Sequence, residues 1–268
     1  MAADKWQAAD YSRHSSLQEA MADEVLAMLD LEGHEHVLDV GCGDGRLTAR
    51  IADRVPSGMV VGVDASPDMI AFAAAHFGHA GTEPRANLRF EVADARSLDY
   101  ANQFDLAVSF NALHWVPEQG AALRGIAASL KSDGRALLRL VVKGSVRSLE
   151  EVAEATRRSP RWVSHFDGFV DPYLRLDDRK YAALAQQQGL RVLHQHTHLK
   201  TWDFKTHDAF FGFCRAGFGA WTNRLEKSDR DTFVEDVITA YRAAGGASAA
   251  EANVFRFYQM DIGVARLG

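Results

Sequence analysis

The stretch His36-Val37-Leu38-Asp39-Val40-Gly41-Cys42-Gly43-Asp44-Gly45 decides how the whole chain is read. A short apolar run ends in glycines spaced two apart, and Leu47, Ile51 and Val55 then recur at helical spacing. Strand, glycine turn and helix in that order make a nucleotide site. Glycine lets a ligand approach the backbone closely, and the following helix presents free N–H groups there.

Upstream, Leu17, Ala20, Met21, Val25, Leu26 and Leu29 mark an amphipathic helix from about Ser16, stopped by Gly33. Downstream, Met59 to Asp64 is a second buried-type strand, and Ser66-Pro67-Asp68 caps a helix to about Phe77. Asn87 to Val92 predicts a third strand ending near Asp94, and Phe104 to Phe110 a fourth. A helix from about Ala121 to Leu130 should lead through an Asp133-Gly134 turn into a strand over Ala136 to Val142. Strands alternating with helices imply parallel βαβ units, and strands buried on both faces should be nearly all apolar, as these are. The expected class is α/β, a doubly wound, mostly parallel sheet.

After Lys143 the rhythm breaks. Residues Gly144 to Asp178 carry Trp162, Phe166, Phe169 and Tyr173 among charges, with Pro160 and Pro172 interrupting any long helix, which suits a cap over a pocket. A helix near Tyr181 to Gln188, a strand from Arg191 to Phe204, two short aromatic helices between Thr206 and Leu225, a longer helix from about Asp229 to Ala243 and a last strand from Asn253 to Ala265 follow. The expected organisation is one domain over residues 1–268. It comprises an N-terminal lid helix (1–32), a cofactor-binding half (33–143), and an acceptor cap with C-terminal strands (144–268).

The formal net charge of -6 gives no general reason to expect a nucleic-acid partner. No apolar run approaches the roughly 20 residues of a membrane span, and the N-terminus lacks the basic and apolar regions of a secretory signal. Cys42 and Cys214 read as free thiols in a reducing compartment. A cytoplasmic enzyme with a small-molecule acceptor is the expectation.

Acids decide which nucleotide the turn receives. The dinucleotide fingerprint G-x-G-x-x-G would place its third glycine where Arg46 stands, and Asp39 would face a pyrophosphate unfavourably. A cofactor with a cationic end suits Asp39 better. Asp64 closes the second strand about twenty residues beyond the turn, where a carboxylate can accept ribose hydroxyls. Asp94 closes the third, within reach of an adenine amino group, with the Ala95 backbone alongside. S-adenosylmethionine, which has an ammonium, a sulfonium and no phosphate, fits this set.

The run Val37 to Gly45 resembles motif I of the class I S-adenosylmethionine-dependent methyltransferases, and the likeness continues through Gly62-Val63-Asp64, Ala93-Asp94-Ala95 and Leu130 to Gly134. It covers roughly the first 145 residues. The resemblance implies a seven-stranded sheet with an inserted α-helical cap, S-adenosyl-L-methionine as cofactor, and a cofactor set of Asp39, Gly41, Cys42, Gly43, Asp64, Ala65, Asp94, Ala95 and Asn111.

The fourth strand runs into Asn111-Ala112-Leu113-His114-Trp115, and loops at the carboxyl ends of parallel strands carry chemistry. This segment and Tyr11-Ser12-x-His14-Ser15-Ser16-Leu17-Gln18 resemble the trans-aconitate and juvenile hormone acid methyltransferases. By that resemblance Tyr11 lies over the cofactor, while Gln18 and Trp115 hold an acceptor carboxylate. A carboxylate needs no general base; a phenol, amine or carbon acid would, and His114 is then the candidate. O-methylation of a carboxylate or hydroxyl is favoured, with C- or N-methylation, or less readily a dinucleotide oxidoreductase, as alternatives. Trp162, Phe166, Phe169, Trp202, Phe210, Phe211 and Phe213 suggest either an apolar acceptor pocket or ordinary core beneath the cap. His194, His196 and His198 should share one strand face, but the outer two lie roughly 13 Å apart, too far to ligate one metal ion, and no metal is expected.

Overall fold

A computed structural model describes residues 15–80, 83–245 and 252–267, without the side chains of residues 15–20 and 80. Tyr11 lies outside the described residues, and for Gln18 only the helical backbone is described.

The elements are α1 (Ser15–Met28), β1 (His36–Val40), α2 (Arg46–Ala52), β2 (Met59–Asp64), α3 (Pro67–Phe77), β3 (Leu88–Val92), β4 (Phe104–Phe110), α4 (Gln119–Ser129), β5 (Leu130–Val142), α5 (Leu149–Arg157), α6 (Asp178–Gln187), β6 (Leu190–Asp203), α7 (His207–Gly217), α8 (Gly219–Thr222), α9 (Lys227–Ala244) and β7 (Val254–Arg266). The strands form one sheet in the order β3-β2-β1-β4-β5-β7-β6, and a small hairpin joins residues 79–80 to 83–84. β1 to β5 run parallel, while β7 is antiparallel to both β5 and β6. This is the expected seven-stranded, mostly parallel sheet.

Alternation along the strands explains why helices cover both faces. Val37, Val60, Leu106 and Val108 join one core with α1 and α2, while Leu38, Val40, Val61, Val63 and Ala107 join the opposite core with α4 and α6. Ser66 accepts from the Met69 N–H with proline at the first helical position, as its sequence demanded.

One detail differs from expectation. Asp133-Gly134 does not separate α4 from β5: Phe104 pairs with Leu130 and Leu106 with Arg135, so the dipeptide sits in an irregular stretch inside one long strand. The prolines at 160 and 172 left room for α5, whose start is fixed by a capping box in which Ser148 and Glu151 each satisfy the other's backbone N–H.

The cap is built from two insertions. One, between β5 and α6, contributes α5, Trp162 and Phe166; the other, between β6 and β7, contributes α7, α8 and α9. Together they share a third core around Phe210, Phe218, Trp221 and Phe233.

The first helix is tied to the sheet by charge. Arg139 of β5 is buried and pairs with Asp261, its direct partner on β7, and reaches Glu24 of α1 at 3.2 Å, which Lys200 also holds at 2.8 Å. Arg54 donates to the carbonyls of Leu26 and Leu29, satisfying the end of α1.

Candidate functional site

The carboxyl ends of β1, β2, β3 and β4 lie at one edge of the sheet because the four strands are parallel, and a cavity of about 560 Å3 opens there. Asp39, Gly41, Cys42, Gly43, Asp64, Ala65, Asp94, Ala95 and Asn111 all line it, as do His114 and Trp115. Met21, Ala22 and Val25 of α1 close another side, so the predicted lid helix reaches the cavity through these residues.

The glycine turn is held open by backbone geometry. Gly41, Gly43 and Gly45 all have positive φ. A Cβ on Gly41 would stand 2.2 Å from that of Ala112, so only glycine lets the turn lie against the loop after β4. A Cβ on Gly43 would meet nothing within 4 Å, because this glycine borders the cavity itself. The Gly41 and Cys42 N–H groups both donate to the Val63 carbonyl, locking turn to strand.

Asp64 is set by two backbone donors, Gly43 N–H at 3.1 Å and Ser66 N–H at 2.9 Å, and burial raises its pKa against their opposing effect. Asp39 is 2% exposed and accepts from the Thr48 hydroxyl at 2.7 Å. Burial, with the Asp64 charge adding to it and Thr48 opposing, pushes the Asp39 pKa up to about 7. A cation brought beside such a carboxyl would favour its charged form. Asn111, at φ 57, has a buried Oδ1 without a hydrogen-bond partner in the same cavity. An enclosed carboxyl, an unpaired amide oxygen and an open glycine cradle fit the ammonium-bearing nucleoside that the acids implied.

Asp94 differs. Arg96 grips both of its oxygens, at 3.0 and 2.6 Å, and holds its carboxyl below the usual range. Cys42 and Cys214 are both free and buried.

His114 is 3% exposed, and its Nδ1 accepts from the Val141 N–H at 3.1 Å. Burial, with the Arg175 charge adding to it, pushes its pKa down to about 3. The ring is therefore neutral at physiological pH, with its proton on Nε2. Trp115 meets Tyr173 edge-on at 4.4 Å between ring centroids.

The beyond-cradle wall is mostly apolar, with Phe213, Phe218, Phe255 and Phe257 contributing rings. Of the aromatic residues proposed from sequence for an acceptor pocket, Phe213 alone lines the cavity. Trp162, Phe166 and Phe210 are buried in the third core, and Phe169, Trp202 and Phe211 pack against it. Helix packing beneath the cap claims those rings, a choice the spacing of aromatics does not reveal.

Sequence reasoning missed Glu150, which lines the cavity with a buried, unpartnered Oε2. The visible signal was the Ser148-x-x-Glu151 capping box, which accounts for Glu151 and leaves a second acid next to the apolar Leu149. His194, His196 and His198 lie on one face of β6, as predicted, their rings stacked at 6.0 and 6.3 Å, and none of them lines the cavity.

Comparison with known proteins agrees with this geometry. Residues 37–134 match the family described as "Methyltransferase domain". Trans-aconitate 2-methyltransferase of Streptomyces avermitilis is 33% identical over 195 residues, covering 70% of this chain and 68% of that protein. Juvenile hormone acid O-methyltransferase of Bombyx mori is 30% identical over 141 residues, which span 52% of this chain and about half, 50%, of the silkworm protein. Among solved structures, Haemonchus contortus phosphoethanolamine N-methyltransferase 2 in complex with S-adenosyl-L-methionine has a TM-score of 0.59 at 15% identity, covering 93% of this chain and 53% of that one. That likeness is one of fold.

The chain belongs to the class I S-adenosylmethionine-dependent methyltransferases, and S-adenosylmethionine is its cofactor. Within that class it falls in the group of the trans-aconitate and juvenile hormone acid methyltransferases. The oxidoreductase alternative is thereby set aside. No helix among the described residues is long and apolar enough to cross a membrane.

Proposed function

We propose that this methyltransferase acts on a small, mainly apolar acceptor and methylates a carboxylate or hydroxyl oxygen. The observation that carries the reading is the continuity of one cavity from the acid-bearing cradle, past His114 and Trp115, to the rings of Phe213, Phe218, Phe255 and Phe257.

In this reading Asp39 and the unpaired Asn111 Oδ1 receive the cofactor ammonium, Gly41, Cys42 and Gly43 form the backbone cradle, and Asp64 takes the ribose hydroxyls. Asp94, with Ala65 and Ala95 beside it, faces the adenine, whose amino group would share the carboxylate with the Arg96 backbone N–H and guanidinium. Tyr11 and Gln18 keep the roles that the resemblance gives them, over the cofactor and at the acceptor carboxylate. Bound S-adenosylmethionine supplies a methyl group on a sulfonium.

The chain's own part is to align the acceptor and keep water out. An anionic oxygen and a sulfonium lose charge as they combine, so apolar walls favour the transition state and in-line positioning supplies much of the rate. His114 suits this as a hydrogen-bond donor through Nε2, since Nδ1 is already taken by Val141 and the neutral ring is hard to protonate. A base role for His114 loses support on the same ground. The relatives' names, two of them acting on organic acids, support a carboxylate acceptor first.

Incubation with tritiated S-adenosylmethionine and a panel of small acids, phenols and amines tests the reading. Label in acids that mild alkali releases is the expected result. Incorporation confined to amines would overturn it. With S-adenosylmethionine saturating, the pH profile of kcat should lack a limb near pH 6.5, the range of an ordinary imidazole.

A further inference from the structure

The acceptor end of the cavity contains a carboxyl that the cofactor cradle does not use. Glu150, at the second position of α5, borders the cavity beside Leu149, Tyr173 and Cys214. Part of the residue stays accessible at the cavity wall, while the carboxyl is withdrawn from bulk solvent and its Oε2 has no hydrogen-bond partner. A buried polar oxygen left without a donor is costly, and one on a cavity wall can be completed by a ligand or water. Terminal carboxyl rotation is soft, so either oxygen can turn to a donor in the cavity.

Charge places Glu150 apart from the cradle. The Asp64 charge acts on Asp39 and both act on Cys42, whereas Glu150 acts on Tyr173, Cys214 and Tyr241. Arg175 stacks on the Tyr173 ring at 4.4 Å and pairs with Asp171 at 3.7 Å. Burial raises the Glu150 pKa, while Arg175, the Ser148 side chain and its own backbone N–H oppose that and Glu151 adds to it. With the Arg175 guanidinium already acting on this buried carboxyl, a neutral donor is favoured over an ammonium.

We propose that Glu150 is a specificity-determining residue whose carboxyl accepts a hydrogen bond from a neutral hydroxyl of the acceptor, one distinct from the oxygen that is methylated. The preferred substrates are then apolar acids carrying a hydroxyl remote from the carboxylate. This rests on the small apolar acid reading above, and the test separates the two.

Aliphatic acids from hexanoate to dodecanoate are compared with their terminally hydroxylated counterparts. Binding is measured by calorimetry on enzyme saturated with S-adenosylhomocysteine, and methyl transfer by tritium incorporation. At least one hydroxylated acid should bind about tenfold tighter than its parent, the size of one hydrogen bond to a carboxylate. Glu150→Leu should bind both members of each pair alike, and Glu150→Gln, whose amide oxygen still accepts, should keep part of the preference. S-adenosylhomocysteine affinity should be unchanged in both variants. If Glu150→Leu fails to bind the cofactor product, the reduced preference in Glu150→Gln decides. Equal binding of every pair by the native enzyme, or a preference that survives Glu150→Leu, overturns the role of Glu150. Label passing to parent and hydroxylated acids alike would do so while leaving the acid reading intact, whereas label passing to amines alone would overturn that reading.

Discussion

The cofactor cradle and the acceptor chamber share one cavity but are built in opposite ways. The cradle comes from strand ends adjacent in the sheet, and its shape is set by backbone: three left-handed glycines, two N–H groups on Val63, and Asp64 fixed by the Gly43 and Ser66 amides. The chamber gathers side chains from α1, the loop after β4, α5, α7 and β7, far apart in sequence. Backbone geometry is dictated by few residue types, whereas a wall of side chains can be assembled from many. The first should therefore tolerate little substitution, and the second should trade specificity more freely than stability.

The largest effect that would break this contrast is sought at Gly41. Gly41→Ala should lose about 2–5 kcal/mol, from the left-handed backbone and the 2.2 Å approach to Ala112, read by denaturant titration. Gly43→Ala should cost only about 1–2 kcal/mol, since its Cβ meets nothing, yet lower S-adenosylhomocysteine affinity tenfold or more by standing in the cradle. Similar stability losses for both would refute a turn that is packed at one glycine and open at the other.

Asp39→Asn sharpens the comparison by splitting binding from stability. Asp39 holds its proton to about pH 7 in the folded protein, against 3.8 ordinarily, so the native state binds the proton more tightly than the unfolded chain. Its contribution to stability is therefore present at low pH and is lost as pH rises from about 4 to about 7. Thermal melts of Asp39→Asn should lack that decline and show equal or higher stability at pH 8. Cofactor affinity should nevertheless fall about tenfold, the scale of a charged hydrogen bond. In the native protein, affinity for the cationic cofactor should rise with pH up to about 7.

On the acceptor side, Ser148→Ala removes half of the capping box and should cost about 0.5–2 kcal/mol. It should raise the acceptor KM while leaving cofactor affinity as it was, because α5 carries Glu150 and no part of the cradle. The smallest effect is expected at His196, on the exposed ladder of β6: His196→Ala should change stability by less than about 0.5 kcal/mol and leave turnover unaltered.

Much of the cradle was legible because its causes are local. His36–Val40, Met59–Asp64 and Phe104–Phe110 begin and end where apolar runs meet turn residues, and Ser66-Pro67 starts α3 by its own chemistry. The irregular insertion in β5 was less legible, since Asp133-Gly134 satisfies a turn equally well between elements or within one strand, and only pairing with β4 selects the latter. The aromatics of the cap were ambiguous for a similar reason. Phe210 and Phe213 lie on the same helix, yet one is wholly buried in the helical core and the other borders the cavity.

The sequence by itself determined the doubly wound sheet, the glycine turn and the acids at its edge, because strand periodicity, positive-φ turns and N-caps act over a few neighbouring residues. Tertiary structure alone decided which aromatics line the cavity, that His114 spends Nδ1 on Val141, and that Glu150 keeps one carboxyl oxygen without a partner near Tyr173. Those outcomes depend on burial and on contacts between residues dozens of positions apart, and no local pattern encodes which groups will be stripped of water together.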